Sequence, residues 1–184
     1  MKNITRNVLV DGLRPILFDR YGGSNEEQLP PEQKVYLDPE DNKTLVFPAA
    51  NISSFLSSQL TESAPQRIMR KKWKTIAKAA LSFVDIEPLY IPFLRDGKRM
   101  TLANSGCYIT HYKANVKKGQ LVIPHPVDRP ALPVPWSLNF KLTLFENPDL
   151  TENILKRLFV EGGIAIGWGS YRGVYGKFQV SAWE

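Results

Sequence analysis

The sequence predicts an α+β fold in which strand, helix, strand, strand, helix and strand follow one another, with a long insertion between the second and third core strands. Three observations predict it. The C-terminal third switches from a period of two to a helical period and back, a central segment pairs an apolar with a basic stripe at helical spacing, and a proline-punctuated stretch from 95 to 135 fits neither period. With 184 residues the chain has the length of about one domain. Hydrophobic residues make up 43% and charged residues 23%, which excludes wholesale disorder.

Ile4, Val8, Leu9 and Val10 mark a first strand, predicted to run past Gly12 to Phe18. Asp19 to Glu32 is polar, with Gly22-Gly23 and Pro30-Pro31, and reads as a loop. Val35-Tyr36-Leu37 and Leu45-Val46-Phe47 flank Asp38 to Asn42 as a hairpin, which Pro48 stops. A helix is expected from Asn51 or Ser53, whose side chains can cap free N–H groups, until Pro65 breaks or kinks it. From Arg67 to Leu81, Met69, Trp73, Ile76 and Ala80 gather on one helical face, with Trp73 expected in the core. Arg67, Arg70, Lys71, Lys74 and Lys78 gather on the opposite face. Phe83 to Leu94 reads as strand, interrupted by Pro88 and Pro92. Residues 95–135 form an excursion with a hairpin signal from Ile109 to Val122 and a stiff, extended proline-rich end from Pro124 to Pro135. Trp136, Leu138, Phe140, Leu142 and Leu144 alternate with polar residues as a half-buried strand. Asp149 or Thr151 then caps a helix with Leu150, Ile154, Leu155, Leu158 and Phe159 on its apolar face, and Gly162-Gly163 is expected to end it. Val174 to Trp183 alternates again. This order is that of a ferredoxin-like βαββαβ, or RRM-like, unit in a single domain spanning 1–184.

The net charge of +6 conceals a gradient: residues 1–66 carry −3 and residues 67–184 carry +9. Between Glu62 and Asp85 there are six cations and no acid. Without acids one turn away these cations repel one another, unless an anion such as a nucleic-acid phosphate lies outside them. A solvated face over a core stripe accounts for the same pattern. The single Cys107 forms no internal disulfide and no thiolate cage, as in a reducing compartment. Arg6, Asp11 and Arg14 interrupt the apolar N-terminal segment, so neither a signal peptide nor a membrane contact is expected, and the chain is placed in the cytoplasm.

The segment 162–176 holds six glycines in fifteen positions. It lacks the dinucleotide fingerprint, because Gly167, Gly169 and Gly173 are spaced G-x-G-x-x-x-G after a helix, and it lacks the P-loop, because Gly176-Lys177 precedes Phe178. Gly173-Val174-Tyr175-Gly176 has the GXXG form but runs into a strand. Gly167 and Gly169 permit close backbone approach, while Trp168, Tyr171, Arg172 and Lys177 add stacking planes and cations suited to a nucleic-acid backbone. An elaborate helix-to-strand turn is the plainer alternative.

A glycine-rich loop between the last helix and last strand of a ferredoxin-like fold resembles the RAMP superfamily of CRISPR-associated proteins. A second stretch, Val35-Tyr36-Leu37-Asp38-Pro39 through Leu45-Val46-Phe47-Pro48-Ala49-Ala50-Asn51-Ile52, is similar to the entry into the first helix of guide-RNA backbone subunits. The family's Gly-Ser-Ser-like entry, with a cation one turn later, is replaced here by Ala49-Ala50-Asn51 and then Ser53-Ser54. The resemblance implies a guide-RNA-binding subunit of an RNA-guided defence complex. Its partners would be single-stranded RNA, further copies of itself, other effector subunits and target nucleic acid. Arg67, Arg70, Lys71, Lys74 and Lys78 would grip phosphates, the loop with Gly167, Gly169 and Arg172 would hold the guide, and Asn51, Ser53 and Ser54 would bond the backbone at a helix N-terminus. The arm at 95–135, with Lys117 and Lys118, would separate bases and meet a neighbouring copy.

Nothing in the sequence demands an enzyme, a cofactor or a metal. A single-domain RAMP endoribonuclease would need a base such as His111 or His125, and metal-dependent cleavage would place Glu32 near the loop after the first strand. The third reading is a ferredoxin-like interaction module that binds no nucleic acid.

Overall fold

The computed structural model describes residues 2–24 and 26–184. Strand β1 (Lys2–Gly12) turns Ile4, Val8 and Val10 inward and Asn3, Thr5 and Asn7 outward. It is flanked by β10 (Phe178–Trp183) on one side and by β9 (Ser137–Glu146) on the other, both antiparallel. Beyond β9 lie β4 (Val84–Glu87) and β5 (Tyr90–Arg95), which pair with successive stretches of it. β3 (Val46–Pro48) and the short β6 (Lys98–Arg99) then pair with β5. The helical connections from β1 to β4 and from β9 to β10 each skip one strand, which interleaves the two halves of the sheet.

Four helices supply the other half of the core: α1 (Ala49–Ser57), α2 (Ala64–Met69), α3 (Trp73–Phe83) and α4 (Glu152–Ala165). Leu138, Phe140, Leu142 and Leu144 from β9 pack in one cluster with Ile52 and Phe55 of α1, Ile76 and Ala80 of α3, and Leu155, Leu158 and Phe159 of α4. The expected alternation of β9 and the apolar face of α4 are therefore what builds this core. Thr151 caps α4 by accepting a hydrogen bond from the Ile154 N–H at 3.4 Å, whereas Asp149 does not cap it.

A second sheet stands beside the first, in the order β2 (Ile16–Leu17), β8 (Leu121–Leu132), β7 (Tyr108–Lys118). The first strand therefore does not continue to Phe18. It ends at Gly12, where a Cβ would meet the Trp136 ring at 2.1 Å, and Ile16 and Leu17 pair with Leu132 and Ala131 instead. The excursion at 95–135 is more ordered than its prolines predict: β7 and β8 pair over eleven residues as one long ribbon. Pro124 and Pro126 fall where β8 has only β7 beside it, so their missing N–H groups break no ladder. Arg95 fixes the root of the ribbon by donating to the carbonyls of Ser105, Pro133 and Pro135 at 2.9, 3.2 and 3.0 Å.

Other boundaries also move. Helix α1 begins at Ala49 with no side-chain cap; the Ala49 N–H is taken by the Leu89 carbonyl at 2.9 Å, so Asn51 and Ser53 lie inside the helix. Pro65 opens α2 in its first turn, where its missing N–H costs nothing, instead of breaking a helix. The basic segment is two helices, divided at Arg70, which adopts φ 48° and ψ −96°. The break takes Arg67 off the helix that carries Lys74 and Lys78, which remain one turn apart in α3. Ile76 and Ala80 are buried as expected, but Trp73 and Met69 are only half-buried.

Gly162 and Gly163 do not end α4 but lie within it and are buried. A Cβ on Gly162 would come within 2.7 Å of the Phe55 ring, and one on Gly163 within 2.7 Å of the Phe178 carbonyl oxygen. The turn out of the helix belongs to Gly167, at φ 78°, whose N–H reaches back to the Gly162 carbonyl at 3.0 Å. For Gly163→Ala, the helix-propensity gain of ~1 kcal/mol is outweighed by overpacking of about 1–3 kcal/mol against backbone that cannot yield. A net loss is expected in urea unfolding, and a gain in stability would contradict this packing.

Glu152, at the start of α4, accepts from the Arg6 guanidinium at 2.6 Å and from the Trp183 indole at 2.9 Å. These bonds, Arg6 first, hold its carboxyl below the usual glutamate range. The stability they add is fully present above that range and is lost as pH falls through the depressed value. Acid titration of Glu152→Gln should show a shallower fall in stability below the glutamate range than the parent, and an identical fall would refute the linkage.

Candidate functional site

The loop from Gly167 to Lys177 is folded around one buried side chain. Trp168 is 1% exposed and touches Phe47, Phe55, Phe140, Phe159 and Phe178, at centroid distances from 4.0 to 6.2 Å. It is therefore a core residue and offers no surface plane for stacking. Its backbone N–H donates to the Gly176 carbonyl at 2.9 Å, and the Gly176 N–H donates to that of Pro15 at 2.7 Å. Gly176 is left-handed at φ 70°, and a Cβ there would lie 1.7 Å from the Trp168 carbonyl oxygen. Only glycine closes the loop at that point.

With Trp168 anchored, the residues after it are carried outward. The Ser170 N–H donates to the Leu17 carbonyl at 2.9 Å, which ties the loop to the second sheet. Tyr171, left-handed at φ 51° and half-exposed, stacks on Tyr112 of β7 with centroids 4.6 Å apart and rings 9° from parallel. Burial raises the pKa of the Tyr112 hydroxyl, opposed by a hydrogen bond with Ser170. The loop thus meets the core, the second sheet and the root of the ribbon. Tyr112 and Ser170 carry no motif in the sequence, because a stack between distant segments leaves no local spacing.

A cleft of about 240 Å³ opens beside this loop, between the end of β2 and α1. Its walls include Phe18, Asp19, Tyr36, Asn51, Ser54 and Arg172, with Trp168 behind. Asn51 and Ser54 therefore face a cleft from inside α1, while the Ser53 hydroxyl donates back to the Ala49 carbonyl at 3.3 Å. Burial pushes the Tyr36 hydroxyl pKa up, and Asn51 beside it pulls the other way. Asp19 lies between two cations, 2.9 Å from Arg129 and 3.4 Å from Lys34.

Arg172 is the unusual charge. Desolvation draws its pKa down, Glu62 acts on it in the opposite sense, and among the described residues no carboxylate comes within ion-pair distance of it. The Trp168 indole N–H, unlike the half-buried Arg172, is fully buried, and it has no partner. An unpaired buried donor of this kind costs ~1–3 kcal/mol, and more when charged. Glu62 itself is held by Arg67 at 2.8 Å, so Arg67 is not a free cation. From there Arg70, Lys71, Lys72, Lys74 and Lys78 run along the exposed surface without an ion pair among the described residues, Lys74 resting over the Trp73 ring at 5.6 Å. Lys177 is half-buried, its carbonyl accepting from the Leu13 N–H at 2.7 Å, and Lys117 and Lys118 are exposed at the far end of the ribbon.

The residues considered for catalysis are not brought together. The His111 Nδ1 is 2.7 Å from Asp128 across the ribbon, His125 stands further along β8 opposite Ala114, and Glu32 is exposed in a 3-10 turn (Pro31–Gln33). No hydrogen bond or ion pair joins the three, and among the described residues no three His, Cys, Asp or Glu side chains group as a metal site requires. Among the described residues no helix is long and apolar enough to cross a membrane.

No protein-family model matches the chain, and no curated protein does. Among solved structures, all of the chain aligns with part of one chain in the "Cryo-EM structure of the Type III-B Cmr-beta bound to cognate target RNA", at a TM-score of 0.58 and 14% identity. The alignment covers 60% of that chain, so this protein spans about three-fifths of its length. At such low identity the likeness is one of fold.

Replacing an unpaired, desolvated cation by an apolar side chain of similar length is usually neutral or stabilising. Arg172→Met is accordingly expected to keep or raise the urea midpoint. A loss of more than about 1 kcal/mol would show that the guanidinium has a stabilising partner.

Proposed function

We propose that this chain is an RNA-binding, RAMP-like subunit built on a ferredoxin-like core, lining the guide strand within a CRISPR-type RNA-guided complex as a non-catalytic scaffold. The observation that carries this reading is the run of exposed cations, Arg70, Lys71, Lys72, Lys74 and Lys78, that form no ion pair among the described residues, with the half-buried Arg172 on the other side of the Glu62–Arg67 pair. Like charges that lack ion-pair partners are relieved by a row of phosphates. The fold likeness to a chain of the Cmr-beta structure supports the same reading.

In this reading 1–184 is one domain with two functional appendages. The glycine-rich loop, 162–176, presents Arg172 and Tyr171 to the strand. The ribbon within 95–135, with Lys113, Lys117 and Lys118, reaches from the domain to a neighbouring copy or another effector subunit. Sequence is then read by base pairing of the guide, as in other RNA-guided systems, and the protein holds the backbone. No chemical step is assigned to His111, His125 or Glu32.

The test is titration of a labelled single-stranded RNA of about 30 nucleotides, long enough to neutralise the whole row of cations, at several salt concentrations. Affinity should fall steeply with salt. A triple variant, Arg70→Ala with Lys71→Ala and Lys74→Ala, should lower the log–log slope by about 2, as expected for three lost phosphate contacts at ~0.7 each. Absence of binding at low salt would overturn direct RNA contact and favour docking of the basic ridge on an acidic protein.

A further inference from the structure

We infer that the cleft between Tyr36, Asn51, Ser54, Trp168, Ser170 and Arg172 is a pocket for one unpaired nucleobase of a single RNA strand, recognised through its hydrogen-bonding edge. This rests on the RNA-binding reading above and extends it, since a pocket of this kind reads a nucleotide where the ridge reads only phosphates.

Size comes first. At about 240 Å³ the cleft falls short of the ~300 Å³ at which pockets for drug-sized molecules begin, and it suits one flat ring system. Its lining agrees, because the half-buried Tyr36 ring and the Arg172 guanidinium border it over a floor of buried aromatic side chains. Unpaired bases of single-stranded RNA are commonly held against such side chains and Arg planes.

The polar lining decides between a base and an anion. Arg172 only donates, Asn51 and the hydroxyls of Ser54 and Ser170 can donate or accept, and Asp19 only accepts. A phosphate presents acceptors alone, and it would face the Asp19 carboxylate, which Arg129 and Lys34 hold in place at 2.9 and 3.4 Å. A base edge alternates donors and acceptors and can use both kinds of partner. Arg172, which has no carboxylate partner among the described residues, and Trp168, whose buried indole N–H has no hydrogen-bond partner, both line this cleft.

The full chain, labelled with ¹⁵N, should be titrated with the four uncharged ribonucleosides and separately with inorganic phosphate, following the indole N–H signals of its four tryptophans. One nucleoside is expected to shift the Trp168 signal saturably and at least fivefold more tightly than the weakest of the four. Phosphate should leave that signal in place, and Asn51→Ser should weaken the preferred nucleoside about tenfold. A hexamer of the preferred nucleotide should displace the nucleoside, whereas the same hexamer with abasic sites should not.

A response to phosphate alone would make the cleft an anion site and overturn the inference. So would no response to any nucleoside, an equal response to all four, or a hexamer that fails to compete. The triple ridge variant separates this inference from the proposed function. If it leaves the salt slope unchanged while the nucleoside response persists, the backbone reading fails and the pocket stands. A normal salt slope with a silent cleft gives the reverse.

Discussion

The structure depends on the burial of Trp168. Its five phenylalanine neighbours come one each from β3, α1, β9, α4 and β10, so a single indole bridges the sheet and the helices that cover it. Phe47 lies nearly parallel to it, 23° off at 5.4 Å, whereas Phe55 and Phe159 meet it edge-on at 87° and 90°. Such aromatic pairs add about 0.5–1.5 kcal/mol each beyond the area they bury. The loop carrying Trp168 is consequently as well determined as a core element, although most of its residues lie at the surface. Gly167, Gly169 and Gly176 follow from that constraint: with the indole fixed, the backbone on either side must pass within van der Waals distance of β2 and of itself.

A pinned loop makes the charge of Arg172 consequential. A flexible loop would let the guanidinium swing into water, but here Ser170 is tied to Leu17 and Tyr171 to Tyr112, and Arg172 follows directly. Its desolvation is thereby built into the fold, as is its separation from carboxylates. The neighbouring acids are engaged elsewhere, Glu62 with Arg67 and Asp19 with Arg129 and Lys34. A half-buried cation without an ion-pair partner at the edge of a cleft is the kind of arrangement expected at a binding site, where a ligand supplies the partner.

What the sequence revealed followed its periodicity. Strand β9 and helix α4 are plain in Leu138 to Leu144 and in Ile154 to Phe159 because each buries one face against a single layer. The order of core elements could be read from the same signal, together with the insertion between β5 and β9. The errors arose where tertiary packing overrides local rules. Gly162 and Gly163 look like a helix stop, yet they sit inside α4 because Phe55 and Phe178 occupy the space their side chains would need. Pro65 looks like a break and is a start. Trp168 among glycines, serine and arginine looks like a surface platform, and nothing local says that five distant rings surround it. Arg172, Asn51 and Ser54 could be singled out from the sequence, but not the cleft that unites them with Tyr36 and Asp19, because its walls come from four separate segments.

The ribbon formed by β7 and β8 is held at its root by the same loop. Its root is clamped by Arg95 through three carbonyls and by the Tyr112–Tyr171 stack, while Leu121, Val122 and Ile123 near its far end are exposed at 68%, 54% and 42%. The two strands pair along their length, and the prolines of β8 keep part of its outer edge from recruiting a further strand. An arm is useful only if its root is fixed relative to the surface it serves. Tyr171 contributes to that: the residue that immediately precedes Arg172 in the loop also stacks on Tyr112, so the cleft and the root of the arm are joined through the loop whose anchor is Trp168.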